Sequence, residues 1–167
     1  GGAGLCCLQW QQQGRTILHL EASGMGAFQD RDGPSCTIFP SGLRATPIEV
    51  TEQSGVLFHR RELIQDSAGA GCFRGGLGVR LEVSQAPASF ISHAAPRGPY
   101  GRQGGRAGRA FSACRGQSGR ETTWVVETPG GGGFGPAAKR ARLAVSQDVR
   151  NGYVSHAAAM ADYGFAE

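Results

Sequence analysis

Clusters of glycine constrain this chain more than any other feature of its sequence. Four consecutive glycines occupy Gly130–Gly133, and a second glycine-rich run extends from Gly69 to Gly78. Glycine accounts for 28 of the 167 residues. Because each glycine in a helix interior costs about 1 kcal/mol relative to alanine, a helical bundle is excluded. The glycines follow no G-X-Y period, so a collagen-like fold is excluded as well.

Short runs of alternating apolar residues predict a mainly β (α+β) fold in which glycine-rich loops join short strands. The clearest run is Val79–Val83, where residues 79, 81 and 83 are apolar and 80 and 82 are charged, as in a strand with one solvated face. Further strands are predicted at 16–20, within 47–65, at 89–92 and at 122–127. We divide the chain into a lead-in segment with the first strand (1–22), a β-rich region (23–145) and a C-terminal helical segment (146–167).

The helical segment is predicted to contain two short helices. Ser146 is predicted to cap the first and Asp148 to favour its N-terminal dipole, while Gly152 interrupts the helical pattern. Ser155 is predicted to cap the second helix and Gly164 to end it.

The two glycine runs each allow two interpretations. Gly130–Gly133 could form a concave nest of N–H groups that binds an anion, or a close crossing of backbones where a side chain would clash. On these residues alone the close crossing is favoured. The second run is predicted to be a turn leading into the strand at 79–83. Asp66, which precedes this run, and Arg74, which lies within it, could pair with each other or face a ligand. The sequence does not choose between these roles.

Positive charge is carried almost entirely by arginine: the chain has 16 arginines and one lysine, with a formal charge of +4. The arginine fork suits carboxylates and phosphates, which favours contacts with anionic partners. The stretch Arg97–Arg120 holds six arginines and no acidic residue, and it is predicted to be a solvated or partner-facing loop rather than an RNA-binding arm. The run Lys139–Arg142 is predicted to be a solvated lead-in to the helices.

Cysteine and histidine positions indicate neither a metal site nor a nucleophile. The five cysteines form no C-x-x-C pair, and the four histidines do not alternate with them at zinc-ligand spacing. We therefore assign no catalytic or metal-binding residue and expect free thiols in a reducing cytoplasm. The sequence begins at Gly1 rather than at methionine, from which we expect a piece of a longer polypeptide.

Taken in order, the glycine-containing motifs between Ser23 and Phe165 resemble the C-terminal part of the hydantoinase B/oxoprolinase family. One such motif is weak evidence, whereas several in the order found in the family are specific. The motifs are SGMGA at 23–27, DGPS at 32–35, FPSG at 39–42, TPIE at 46–49, DSAGAG at 66–71, RGGLG at 74–78, ETPGGGGFG at 127–135, DVRNGYVS at 148–155 and DYGF at 162–165.

The resemblance implies a heteromeric enzyme in which an A-type partner uses ATP to phosphorylate a cyclic amide or a ketone. This chain would be the C-terminal portion of a B-type subunit in an ATP-dependent hydrolase of cyclic amides, of the hydantoin or 5-oxoproline type, and inactive alone. Its implied partners are the A-type subunit and the N-terminal portion of the B-type subunit. The alternatives are a subunit of an acetone-type carboxylase, an arginine- and glycine-rich RNA-binding module, or a purely structural subunit.

The resemblance also implies where cofactors bind. The complete enzyme is expected to use ATP and a divalent metal, with metal ligands in the N-terminal portion, and this chain alone to bind neither. No membrane contact is expected, and nucleic acid is not an expected partner. The candidate residues for phosphate or partner contact are Asp66, Arg74, Gly130, Gly131, Gly132 and Gly133.

Overall fold

The structure, a computed structural model, describes residues 5–37, 55–84, 88–93, 99–109, 113–117 and 123–165. It contains two antiparallel sheets and two short helices near the C-terminus, which confirms the mainly β fold predicted from the sequence. The motifs at 39–42 and 46–49, and residues 47–54 of the predicted strand region 47–65, lie outside the described residues.

The first sheet has three strands in the order β2-β1-β5. These strands are β1 (Leu5–Gln12), β2 (Arg15–Ala22) and β5 (Ala88–His93). The prediction placed strands at β2 and β5 but treated the glutamine-rich start of the chain as a lead-in without a strand, which is wrong for Leu5–Gln12. That segment lies between β2 and β5 and hydrogen-bonds to both, so long-range pairing overrides its weak local pattern.

The second sheet has four strands in the order β3-β4-β7-β6. They are β3 (Leu57–Leu63), β4 (Val79–Ser84), β6 (Ala113–Gln117) and β7 (Thr123–Glu127). In β4 the apolar residues are buried and the charged ones are half-buried, which confirms the predicted alternation. Strand β6 lies at the sheet edge and within the arginine-rich stretch Arg97–Arg120, so the predicted loop is wrong for Ala113–Gln117. Long-range pairing with β7 overrides the local pattern there.

The apolar core lies between the two sheets. It combines residues of both, and its members are Leu8, Val56, Leu81, Val83 and Val126, with Ile17, Phe58 and Trp124 packed against them. A buried ion pair also joins the sheets, because Arg61 of β3 donates two hydrogen bonds to Glu21 of β2, at 3.0 and 3.2 Å.

The glycine runs form a third structural unit, which we call the glycine lattice: the segments 23–34, 66–78, 99–109 and 128–135. Backbone hydrogen bonds join the segment 128–135 to the other three, and residues three apart bond to the same neighbour. Toward 23–34, the carbonyls of Pro129 and Gly132 accept from the N–H groups of Gly24 and Ala27, respectively. Toward 99–109, the N–H groups of Gly130 and Gly133 donate to the carbonyls of Arg109 and Arg106. Toward 66–78, the N–H groups of Gly131 and Phe134 donate to the carbonyls of Gly76 and Phe73. A period of three residues is that of an extended polyproline II-type helix, which forms no hydrogen bonds within itself.

In the structure the helical segment begins at residue 137 rather than at the predicted residue 146, and its described part ends at residue 165; it packs against this lattice. A 3-10 turn (Ala137–Lys139) precedes α1 (Arg142–Arg150) and α2 (His156–Tyr163). The Ser155 side chain caps α2 by accepting from the Ala158 N–H, and Gly164 ends it at φ 60°, as predicted. The predicted cap at Ser146 is wrong, because α1 already begins at Arg142.

Candidate functional site

Four ionised side chains meet where the helical segment contacts the glycine lattice, and we call them the buried charge cluster: Asp32, Arg74, Arg140 and Asp148. Arg140 donates to both oxygens of Asp32 at 2.7 Å and to Asp148 at 2.7 Å. Arg74 donates to Asp148 at 3.2 Å, and its backbone N–H donates to Asp32 at 2.7 Å. Two cations therefore face two anions, so the cluster carries no net charge.

Burial strengthens the interactions among these charged side chains. Arg74, Arg140 and Asp148 are 7%, 7% and 5% exposed, whereas the side chain of Asp32, at the rim of the cluster, is 35% exposed. Burial by itself raises the pKa of Asp32, but the hydrogen bonds and charge of Arg140 outweigh it and hold that pKa below its usual range. Burial likewise raises the pKa of the neighbouring Tyr163 phenol, to about 12. A buried pair that loses one partner leaves an uncompensated charge, so the four side chains stabilise the structure only as a complete set.

The cluster fixes the position of the helical segment and corrects two predictions. Arg140 belongs to the run predicted to be solvated, yet its guanidinium is buried. Asp148 was expected to act at a helix N-terminus, whereas it lies within α1 and binds two arginines. Arg140 and Asp148 are eight positions apart. The other two members are distant, because Arg74 lies 74 positions from Asp148 and Asp32 lies 108 positions from Arg140, so no local pattern could have identified the whole cluster.

Asp66 and Arg74, the two charged candidates from the sequence, bind different parts of the helical segment. Arg74 pairs with Asp148 and lies 5.3 Å above the ring of Tyr153. The exposed Asp66 accepts from the backbone N–H of Ser155 at 2.8 Å. Both residues therefore position the helical segment on the lattice.

A small cavity opens beside Asp66, between the lattice and α2. Its volume is about 20 Å³, enough for a single water molecule. Tyr153, Asp162 and Tyr163 contribute polar groups to its wall, and Asp162 is also ion-paired with Arg106 of the lattice. The cavity is too small to accept a substrate.

The four candidate glycines lie buried at the centre of the lattice. A Cβ atom on any of them would lie closer than 3.0 Å to a backbone carbonyl of another segment, so the favoured interpretation, a close crossing of backbones, is confirmed. The N–H groups of Gly130, Gly131 and Gly133 donate to carbonyls of the chain itself. A phosphate at this position would have to replace those hydrogen bonds.

A second buried polar group lies between the sheets. His19 and Glu21 are both 1% exposed and their side chains approach to 3.4 Å. Burial raises the pKa of Glu21, but hydrogen bonds from His19 and Arg61, with their charges, lower it below the usual value. Burial and the Glu21 charge raise the pKa of the nearby Cys36 thiol, so this cysteine is less reactive than an ordinary one.

No group of metal-ligating side chains is found among the described residues. Within them, no three histidine, cysteine, aspartate or glutamate side chains converge on one point where a cation could bind. Glu21 and Asp148, the described carboxylates most removed from solvent, are each held by arginine. Among the same residues, no helix has the length and apolar character needed to cross a membrane.

Comparison with known proteins yields a family model and several relatives. The model described as Hydantoinase B/oxoprolinase matches residues 3–137. The chain is 35% identical to the caprolactamase subunit beta of Pseudomonas jessenii, over 89% of this chain and 30% of that protein. It is 32% identical to an uncharacterized protein of Methanocaldococcus jannaschii, over 71% of this chain and 24% of that protein.

Two solved structures share the fold. The crystal structure of ATP-dependent caprolactamase from Pseudomonas jessenii matches with a TM-score of 0.66 and 27% identity, over 96% of this chain and 33% of that one. A nucleotide-free structure of acetone carboxylase matches with a TM-score of 0.70 and 18% identity, over 98% of this chain and 29% of that one. At 18% identity the second match establishes the fold alone. The chain spans a third or less of each of these relatives.

Proposed function

Because the chain belongs to the hydantoinase B/oxoprolinase family, we propose that it is the C-terminal portion of a B-type subunit in an ATP-dependent hydrolase of cyclic amides. The observation that carries the proposal is the 35% identity to a caprolactamase subunit over 89% of this chain. Caprolactam, a lactam with a larger ring than 5-oxoproline, therefore joins hydantoin and 5-oxoproline as a candidate substrate.

The reaction that we propose for the complete assembly consumes one ATP and two waters. Transfer of the γ-phosphoryl group to the amide oxygen releases ADP and makes the ring carbon more electrophilic. One water adds at that carbon, and cleavage of the C–N bond opens the ring to an acyl phosphate with the ring nitrogen protonated. A second water hydrolyses the acyl phosphate to the ring-opened acid and phosphate. ATP, the metal and the acid–base groups are assigned to the A-type subunit and to the N-terminal portion of the B-type subunit.

Within that assembly, the proposed role of this chain is to provide a rigid scaffold. The glycine lattice supports this role because its segments are joined through their backbones, and the buried charge cluster supports it because it locks the helical segment onto the lattice. Asp66 and Arg74 are positioning residues in this proposal. Contact of Asp66, Arg74 and Gly130–Gly133 with phosphate or with a partner stays a prediction, as does the cytoplasmic location.

Reconstitution of the complete assembly tests the proposal. We would combine the 167-residue chain with an A-type subunit and the N-terminal B-type portion, and assay ADP release and ring opening with caprolactam, hydantoin and 5-oxoproline. We expect ATP-dependent opening of at least one ring, and its loss when this chain is omitted. Consumption of acetone that requires bicarbonate, without amide hydrolysis, would replace the proposal with the carboxylase alternative.

The RNA-binding alternative has its own test. In the described part of the arginine-rich stretch, residues 99–109 belong to the glycine lattice and Arg106 is paired with Asp162. We expect no RNA binding near physiological salt. Binding there, with a log-log salt slope of about −0.7 for each neutralised phosphate of a single strand, would favour the RNA-binding module instead.

A further inference from the structure

Strand β2 of the first sheet carries apolar residues on both of its sides. Ile17 packs against the core, and His19 and Glu21 are buried, so these residues form the inner side of the strand. Because side chains alternate between the two sides of a strand, Leu18 and Leu20 lie together on the opposite side. Leu18 is 55% exposed and Leu20 is half-buried. We call the side of the first sheet that carries Leu18 and Leu20 its outer face.

The strand register places further apolar residues in line with Leu20. Leu20 pairs with Cys7 of β1, and Cys7 in turn pairs with Ile91 of β5. Three apolar residues therefore occupy one row across the sheet, two positions along β2 from Leu18. An antiparallel sheet with one solvated face has polar residues on that face. Leu18 and the row at Leu20 do not follow this pattern.

The second sheet provides a comparison within the same molecule, because its outer face has the composition expected for contact with water. In β4, Leu81 and Val83 belong to the core and the residues between them and beside them are charged. Ion pairs join the charged side chains of this face into one network: Arg60 with Glu62 and Glu82, and Arg80 with Glu82 and Glu127. The outer positions of β2 in the first sheet hold leucines instead. The first sheet therefore has the composition of a sheet that is covered on both faces.

We infer that the outer face of the first sheet is the docking surface for the N-terminal portion of the B-type subunit. This inference rests on the proposed function, in which that portion precedes β1 in the complete subunit. β1 is the central strand of the first sheet, so the N-terminal portion would be attached to the sheet that carries the apolar face. The caprolactamase subunit beta is long enough to supply a cover, because this chain aligns with 30% of it.

Attachment and chemistry both favour this occupant over the A-type subunit. A segment linked to the sheet docks at an effective concentration of about millimolar, an advantage that a separate chain does not have. Residues 16, 18 and 20, at the outer positions of β2, carry no charge, so the covering surface is itself apolar. Docking would remove Leu18 from water and complete the burial of Leu20.

Photo-crosslinking from position 18 identifies the occupant. We would place p-benzoylphenylalanine at Leu18, reconstitute the assembly with the A-type subunit and a separate N-terminal B-type portion, irradiate it, and identify the crosslinked chain by mass spectrometry. The matched control carries the same group at Leu57, which is 41% exposed on β3 of the second sheet. We expect position 18 to crosslink to the N-terminal portion, and position 57 to do so with at most a tenth of that yield, about the ratio of a buried to an open site.

Leu18→Glu tests whether the contact contributes to affinity. Isothermal titration calorimetry would measure binding of the N-terminal portion in the absence of the A-type subunit. We expect L18E to weaken binding by about tenfold or more, because a charge would be buried where a leucine was, and the control L57E to bind like the unmodified chain. Far-ultraviolet circular dichroism establishes that each variant is folded.

The outcomes separate the inference from the proposed function. Crosslinks from position 18 to the A-type subunit or to a second copy of this chain would overturn the inference by assigning the face to another occupant, and so would the absence of crosslinks. If L18E binds as tightly as the unmodified chain while the assembly opens the ring, the inference is overturned and the function stands. If the unmodified chain does not bind the N-terminal portion and the assembly opens no ring, both fail.

Discussion

The substitution Gly131→Ala tests the packing of the glycine lattice most directly. The added Cβ would lie closer than 3.0 Å to the carbonyl group of Met25, so the segment 24–27 would have to move by about 1 Å. Backbone hydrogen bonds of 2.9 and 2.8 Å join that segment to Pro129 and Gly132, and the movement would weaken both. Overpacking costs about 1–3 kcal/mol and each hydrogen bond contributes about 1 kcal/mol, so we expect a loss of about 3–5 kcal/mol.

Urea unfolding followed by tryptophan fluorescence measures this loss as a change in the free energy of unfolding. The control is Gly152→Ala, because Gly152 has open space around it and a φ of +71°. Alanine there costs only the strain of a left-handed backbone, about 1–2 kcal/mol. If Gly131→Ala destabilises the protein no more than Gly152→Ala does, the lattice is not closely packed and the reasoning is refuted.

Three further predictions concern charge, pH and capping. Asp148→Ala removes the carboxylate that pairs with Arg74 and Arg140 and should lower the free energy of unfolding by about 3 kcal/mol. In the same urea titration, Asp30→Ala removes only an exposed ion pair with Arg31 and should change that free energy by less than about 0.5 kcal/mol. The pKa of Glu21 is lowered in the folded protein, so the stabilisation from its carboxylate is present at neutral pH and lost on acidification. The difference in the free energy of unfolding between the unmodified chain and Glu21→Gln should therefore shrink below about pH 4.3. A difference that stays constant with pH would contradict this. Ser155→Ala removes the cap of α2 and should lower the free energy of unfolding by about 1 kcal/mol. Ser146→Ala, inside α1, should lower it by little. Equal losses of stability in thermal unfolding would contradict the capping assignment.

The glycine lattice gives a physical reason for the glycine content of the chain. A side chain on its central segment would collide with neighbouring backbones, so those positions are restricted to glycine by close approach rather than by unusual dihedral angles. Such a unit has few side chains that can change rotamer. It is suited to holding a surface in place for companion chains, as the proposed function requires.

Features that depend on neighbouring residues could be predicted from the sequence. Alternation along Val79–Val83 identified β4, and Ser155 and Gly164 fixed both ends of α2, because strand periodicity and helix capping act over a few positions. The order of the glycine motifs pointed to the family. The crossing at Gly130–Gly133 was also anticipated, since a run of glycines is compatible with few other environments.

Contacts between residues that are distant in sequence depend on the tertiary structure. Leu5–Gln12 became a strand only because β2 and β5 lie on either side of it. Arg140 and Asp148 are buried because folding brings Asp32 and Arg74 to the same point. Arg74 is 74 positions from Asp148, and Asp32 is 108 positions from Arg140. The free energy of a buried charge depends on partners that no local pattern specifies, so the cluster that fastens the helical segment could be found only in the folded chain.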